Sequence, residues 1–240
     1  MRHIFLFLLC VIYGATFVAT AGDPESNRIR IYTNDGDSID GYMRHNLKTG
    51  LKNLFSKTGS IHKYINFGLE AKGGETKGYS ADDIKAYRFL EASEGYPEGA
   101  LYVSTMINAP RMFKSNNKMR GFAFVLDSRQ SGEILQWSVF ESTGGRNSQQ
   151  RLVPAIGVKF KGDDAAYPFM INGRYQPYYL SHHLKKKAPE LHKFIEAYLD
   201  KGDDKNAHRK ELVDNPSILL TLYEQFLSQG NPPLNLDTEK

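Results

Sequence analysis

The period of the hydrophobic pattern changes once along this chain, near residue 180, and that change limits the fold more than any motif does. Before it, short runs alternate polar and apolar residues, which places one set of side chains on each face of a strand. Arg28-Ile29-Arg30-Ile31-Tyr32-Thr33 meets the turn residues Asn34-Asp35-Gly36, and the alternation resumes at Ser38-Ile39-Asp40-Gly41-Tyr42-Met43. Two such runs around an Asp-Gly turn predict a β-hairpin. Further runs fall at 61–69, 86–90, 100–107, 122–127, 134–140, 152–160 and 168–171. Asn172-Gly173 then turns the chain into a strand expected over 175–180. Asn-Gly readily takes the positive φ angles of a two-residue hairpin turn, so this is the sharpest local signal present.

After residue 180, Leu191, Phe194, Ile195, Tyr198 and Leu199 follow the i, i+3, i+4, i+7, i+8 spacing of one helical face, with Pro189 where a first-turn proline is tolerated. Leu219, Leu222, Tyr223, Phe226 and Leu227 repeat that spacing behind Asn215 as cap and Pro216 as first helical residue. A shorter helix is expected over 207–213, and the residues from Asn231 onward read as a frayed tail. Helices this short need a packing partner, so their apolar stripes should cover each other or the sheet. The expected class is α+β: a mostly antiparallel sheet, barrel- or sandwich-like, with a C-terminal helical segment. The expected divisions are a signal peptide over 1–21, a β-rich region over 22–180, helices over 181–228 and a flexible tail over 229–240.

The leader is read from Met1-Arg2-His3, a basic start, the apolar run from Ile4 to Tyr13, and the small residues Ala19 and Ala21 placed for a signal peptidase. Cleavage is expected between Ala21 and Gly22, giving a secreted or periplasmic protein whose mature form does not span a membrane. An uncleaved anchor is the competing reading, and it is weakened by Gly14, Thr16 and Thr20, which break the apolar run. A lipoprotein acylated at Cys10 would need a small residue where Leu9 stands. Cys10 is the single cysteine of the chain, so cleavage leaves neither a disulfide nor a thiol nucleophile. The formal charge of +4 falls by one when Arg2 leaves, too little to point to nucleic acid.

No motif for chemistry survives a test of spacing. The acidic stretch from Asn34 to Gly41 fails the EF-hand template, because Ile39 stands where an oxygen ligand belongs and Asp40 where glycine is needed. His45, His62, His182, His183, His192 and His208 lack the one-turn spacing of helical zinc ligands. His182 and His183 are read as part of a solvated helix start capped by Ser181, continuing into the basic run Lys185-Lys186-Lys187. Gly73-Gly74-Glu75-Thr76-Lys77-Gly78 has neither the spacing of a phosphate loop nor a following helix, and is read as a hairpin turn. Residues 143–146 and 128–132 are read as turns at strand ends. No Gly-x-Ser-x-Gly nucleophile elbow occurs. No cofactor and no metal is therefore expected. Trp137, Tyr175, Tyr178 and Tyr179 are candidates for an aromatic binding surface, since such rings offer a flat apolar face with a polar edge. Alternation would put Tyr175 and Tyr179 on one face of the last strand and Tyr178 on the other.

Three segments carry a resemblance. Gly36-Asp37-Ser38-Ile39-Asp40-Gly41, Tyr79-Ser80-Ala81-Asp82-Asp83-Ile84-Lys85-Ala86-Tyr87, and Leu184-Lys185 with Leu191, Ile195 and Tyr198 resemble a loose group of uncharacterised secreted proteins of Bacteroides-like bacteria. That resemblance implies export, a strand-rich region and a helical tail, and it implies no active-site residue. The function expected is that of an exported, non-catalytic binding or interaction protein, with an envelope protein or a glycan as partner. The alternative is a secreted hydrolase acting on polysaccharide or peptide through a pair of acidic residues.

Overall fold

A computed structural model describes residues 27–44, 63–71, 73–92, 96–108, 118–142, 150–201 and 205–234. The expected signal peptide with Cys10, Ala19, Ala21 and Gly22, together with His45, His62, the turn at 143–146 and residues 235–240 of the tail, lies outside the described residues.

β1 (Arg28–Thr33) and β2 (Ser38–Met43) form the expected hairpin, with Ile31 opposite Ile39 and Arg30 opposite Asp40. Gly36 sits in the turn at φ +97°. The chain continues through β3 (Tyr64–Gly68), β4 (Thr76–Ser80), β5 (Ile84–Phe89), β6 (Leu101–Asn108), β7 (Lys118–Arg129), β8 (Gly132–Ser142), β9 (Gln150–Phe160), β10 (Tyr167–Ile171) and β11 (Arg174–Tyr175). All belong to one sheet, in the order β11-β10-β9-β8-β7-β6-β5-β1-β2-β3-β4. Each neighbouring pair is antiparallel, and β5 lies between β1 and β6.

The two faces of this sheet are buried in different places, so it curls in two senses. Across β1–β7 one face holds Ile29, Ile31, Ile65, Phe67, Ile84, Tyr87, Phe89 and Phe122 in a single core. Tyr87 stacks on its cross-strand partner Tyr102 with ring centroids 4.8 Å apart. The opposite face of β1, β2 and β5 carries Arg28, Arg30, Asp40 and Arg88 toward solvent, with Arg30 and Asp40 joined by hydrogen bonds of 2.6 and 2.9 Å. From β6 onward that second face turns inward, where Ile107, Ala123, Leu135, Trp137, Val153, Ala155 and Ala166 form another core. The Asn108 N–H donates to the Ala166 carbonyl and the Ala166 N–H to the Met106 carbonyl, each at 2.8 Å. These bonds tie β6 to the start of β10 and close β6–β10 into a small roll, so the barrel-like character is confined to this part of the sheet.

Among the described residues four helices cover the outside of that roll: α1 (Tyr178–Lys187), α2 (Pro189–Leu199), α3 (Lys205–Asp214) and α4 (Ile218–Ser228). Leu191, Ile195 and Leu199 of α2, and Leu219, Leu222, Tyr223 and Phe226 of α4, are buried against Ile134, Val158, Phe160 and Phe169. The stripes read from the sequence are therefore the stripes that pack.

Five expectations are corrected. The strand expected over 175–180 stops at Tyr175, and Tyr178, Tyr179 and Leu180 are helical. Pro177 lacks the N–H a ladder needs, and a helix from 178 brings Leu180, His183 and Leu184 onto one buried face. Pro177 thus holds the N-cap position expected for Ser181, whose N–H bonds to the Pro177 carbonyl at 2.7 Å. Ser217 likewise replaces Asn215 as N-cap of α4. Residues 76–78, expected within a turn, open strand β4, an exposed edge strand whose polar residues hide its periodicity; the turn itself is made by Gly73 and Gly74 at φ +70° and +69°. Finally, Leu234 of the expected tail is buried, its N–H donating to the Tyr223 hydroxyl at 3.1 Å.

Candidate functional site

The aromatic residues singled out from the sequence do not form one surface. Trp137 is only 4% exposed and belongs to the interior of the β6–β10 roll. Gly157 makes room for it: a Cβ there would lie 2.3 Å from Trp137 Cη2 and 2.6 Å from the Tyr167 carbonyl oxygen. Tyr175 is half-buried against the helical core and Tyr179 against the roll, and burial raises both hydroxyl pKa values. Tyr178 alone is exposed, its ring edge-on to Tyr179 at 5.2 Å. Cross-strand alternation misplaced Tyr178 and Tyr179 because the backbone there is a helix.

A buried polar network was not anticipated. His183 and Asp163 have side chains 6% and 2% exposed, and His183 Nε2 lies 2.7 Å from Asp163 Oδ1. Asp163 Oδ2 accepts the Phe160 N–H at 3.2 Å. The His183 ring stacks on Tyr167 at 3.7 Å and 12°. The Tyr167 hydroxyl donates to Asp164 Oδ1 at 3.2 Å, and Asp164 also pairs with Lys118. An acid–imidazole pair can activate a nucleophile, but that role needs access for a substrate. Here both partners are enclosed, and the pair fastens α1 to the turn between β9 and β10. The available signal was the helical register: a helix from 178 puts His183 on the apolar face, where a polar side chain requires a partner. His182, one residue earlier, is exposed, and Lys185, Lys186 and Lys187 occupy the last turn of α1, where cations complement the helix dipole.

Among the described residues an open groove of about 350 Å³ is lined by Asn34, Ala81, Asp82, Ile84, Lys85, Ser104 and Arg120. Five elements build it: the β1–β2 turn, the β4–β5 turn, and strands β5, β6 and β7. Its position follows from alternation. Tyr102, Ser104 and Met106 share one face of β6, and Phe124, Phe122 and Arg120 share that face of β7. Tyr102, Phe122 and Phe124 belong to the β1–β7 core, whereas Met106 packs on the helical core. Ser104 and Arg120 fall in the interval between the two cores, and the β4–β5 turn lies over them. Arg120 Nε meets Asp82 Oδ1 at 3.1 Å, the Asn34 amide donates to the Asp82 carbonyl at 2.8 Å, and the Ser104 hydroxyl donates to the Ala81 carbonyl. The turn is held from within by Asp83, which accepts the Ser80 N–H and hydroxyl at 2.7 Å each; those bonds lower the Asp83 pKa.

Among the described residues no group of three or more His, Cys, Asp or Glu side chains is placed to hold a metal ion, and no helix is long and apolar enough to cross a membrane. Comparison with protein-family models finds no match, and searches of curated proteins and of solved structures find none either.

Proposed function

We propose that this chain is an exported, non-catalytic binding or interaction protein of the cell envelope or extracellular space, and that the groove between β5, β6 and β7 holds its ligand. The observation that carries this reading is the composition of the groove. Its lining offers hydrogen-bonding groups from five elements, a set suited to orienting a polar ligand. Hydrolysis through paired acids needs two carboxylates facing one bond, about 5–10 Å apart. The lining supplies one, Asp82, which is already engaged by Arg120. Export is proposed from the leader, and an envelope protein or a glycan is proposed as the partner class.

The test is to screen the full chain against glycan and peptide panels, for binding and for turnover in the same samples. Binding that weakens when Asn34 or Ser104 is replaced by Ala, with no substrate consumed, is the expected result. Turnover abolished by replacing one Asp or Glu, with the fold intact, would refute the proposal.

A further inference from the structure

We infer that the ligand of this groove carries a carboxylate, as a small sugar acid does, and that Arg120 and Lys85 seat it; this rests on the groove being the binding site. The guanidinium of Arg120 is engaged on one side only. Its Nε faces Asp82, while its terminal nitrogens have no partner among the described residues. An arginine fork presents its N–H groups in the geometry that a carboxylate accepts from two at once. Lys85 lines the same groove, and among the described residues its ammonium makes neither an ion pair nor a hydrogen bond. Lys85, Arg120 and Asp82 are the charged members of the lining, so the groove has one positive charge in excess, which a monoanion neutralises.

The rest of the lining suits hydroxyl groups. Asn34 spends an amide N–H on the Asp82 carbonyl and Ser104 its O–H on Ala81, which leaves both side chains with oxygen lone pairs to accept from a ligand. Apolar lining is limited to Ala81 and Ile84. An acidic peptide would bring flanking apolar side chains and find no pocket for them. The volume stands at the low end of the ~300–1,000 Å³ usual for small-ligand sites, which fits one compact polar molecule.

The experiment titrates the full chain with glucuronate, galacturonate, glucose, inorganic phosphate and a glutamate-containing peptide, by calorimetry and by amide NMR. Expected is binding of a uronate that shifts groove resonances, weakens with added salt, and falls about tenfold or more in both K85Q and R120Q through loss of a charge-assisted hydrogen bond. The Arg120 pair is exposed, so R120Q should leave the fold intact. Glucose binding as tightly as a uronate, or uronate affinity unchanged in K85Q and R120Q, would overturn the carboxylate assignment while leaving the groove as the site. Tighter binding of the peptide or of phosphate would overturn the sugar acid. If no probe moves a groove resonance, this inference and the proposed function both fall.

Discussion

Replacing Asp163 by Ala should destabilise the fold far more than replacing its neighbour Asp164. Asp163 stands in the turn after β9, its carboxylate enclosed, and accepts from two buried donors, His183 Nε2 at 2.7 Å and the Phe160 N–H at 3.2 Å. A carboxylate oxygen accepts, which assigns the donor role in that bond to His183 Nε2. Asp163→Ala leaves both donors without a protein partner. Each buried unpaired group costs roughly 1–3 kcal/mol, so the expected loss is about 2–6 kcal/mol. In a chain of this size that lowers the melting temperature by on the order of 10 °C. Asp164 is 43% exposed, and Asp164→Ala should cost about 1 kcal/mol or less, as surface ion pairs do. Urea titrations of the two variants, with His183→Ala and the D163A/H183A double variant closing a cycle, measure both values and the coupling. Losses within about 1 kcal/mol of each other for D163A and D164A, or no coupling between Asp163 and His183, would refute the assignment of this network as the latch of α1.

Ending the chain at residue 176 uncovers Ile134, Val158 and Phe169, so the truncated protein should aggregate or melt lower than the full chain; an unchanged melting temperature would make the helices a separate module. Gly157→Ala drives a methyl into Trp137 and the Tyr167 carbonyl and should cost about 1–3 kcal/mol, with an altered tryptophan near-UV signal as the check. Burial lowers the pKa of His192, with Lys185 acting in the same direction and Glu196 against it. The unfolded chain then takes up the proton more readily, so stability should decline as pH falls through about 6.5, and His192→Gln should decline less between pH 7.5 and 5.5 in urea midpoints. Intact-mass measurement of exported protein should find Gly22 at the N-terminus; a species retaining Cys10 would refute cleavage after Ala21.

What could be read in advance was whatever a short window encodes. The β1–β2 hairpin follows from strict alternation around Asn34-Asp35-Gly36, and the β10–β11 turn from Asn172-Gly173, both at positive φ. The α2 and α4 stripes are legible because burial acts on the same five positions that the 3.6 period marks. The boundary at Tyr178 was hidden, since two tyrosines and a leucine after Pro177 suit a strand as well as a helix. Burial of Leu180, His183 and Leu184 decides between them, and that information lies in β10 and α2. Trp137 shows the same limit: alternation tells which residues share its face, but not whether that face becomes the inside of a roll.

The groove was illegible for a deeper reason. Its residues run from Asn34 to Arg120 and are brought together by β5 pairing with β1 on one side and β6 on the other, an order no local signal specifies. One sheet serves two cores on the same face, and between them the strands pass through an interval belonging to neither. Ser104 and Arg120 occupy that interval while Tyr102 and Phe122 beside them are core, so the groove is a consequence of how the sheet divides its burial. Apolar residues at 104 and 120 would let the two cores merge under the β4–β5 turn. Hydrogen-bonding and charged residues there keep the interval open to solvent, and therefore to a polar ligand.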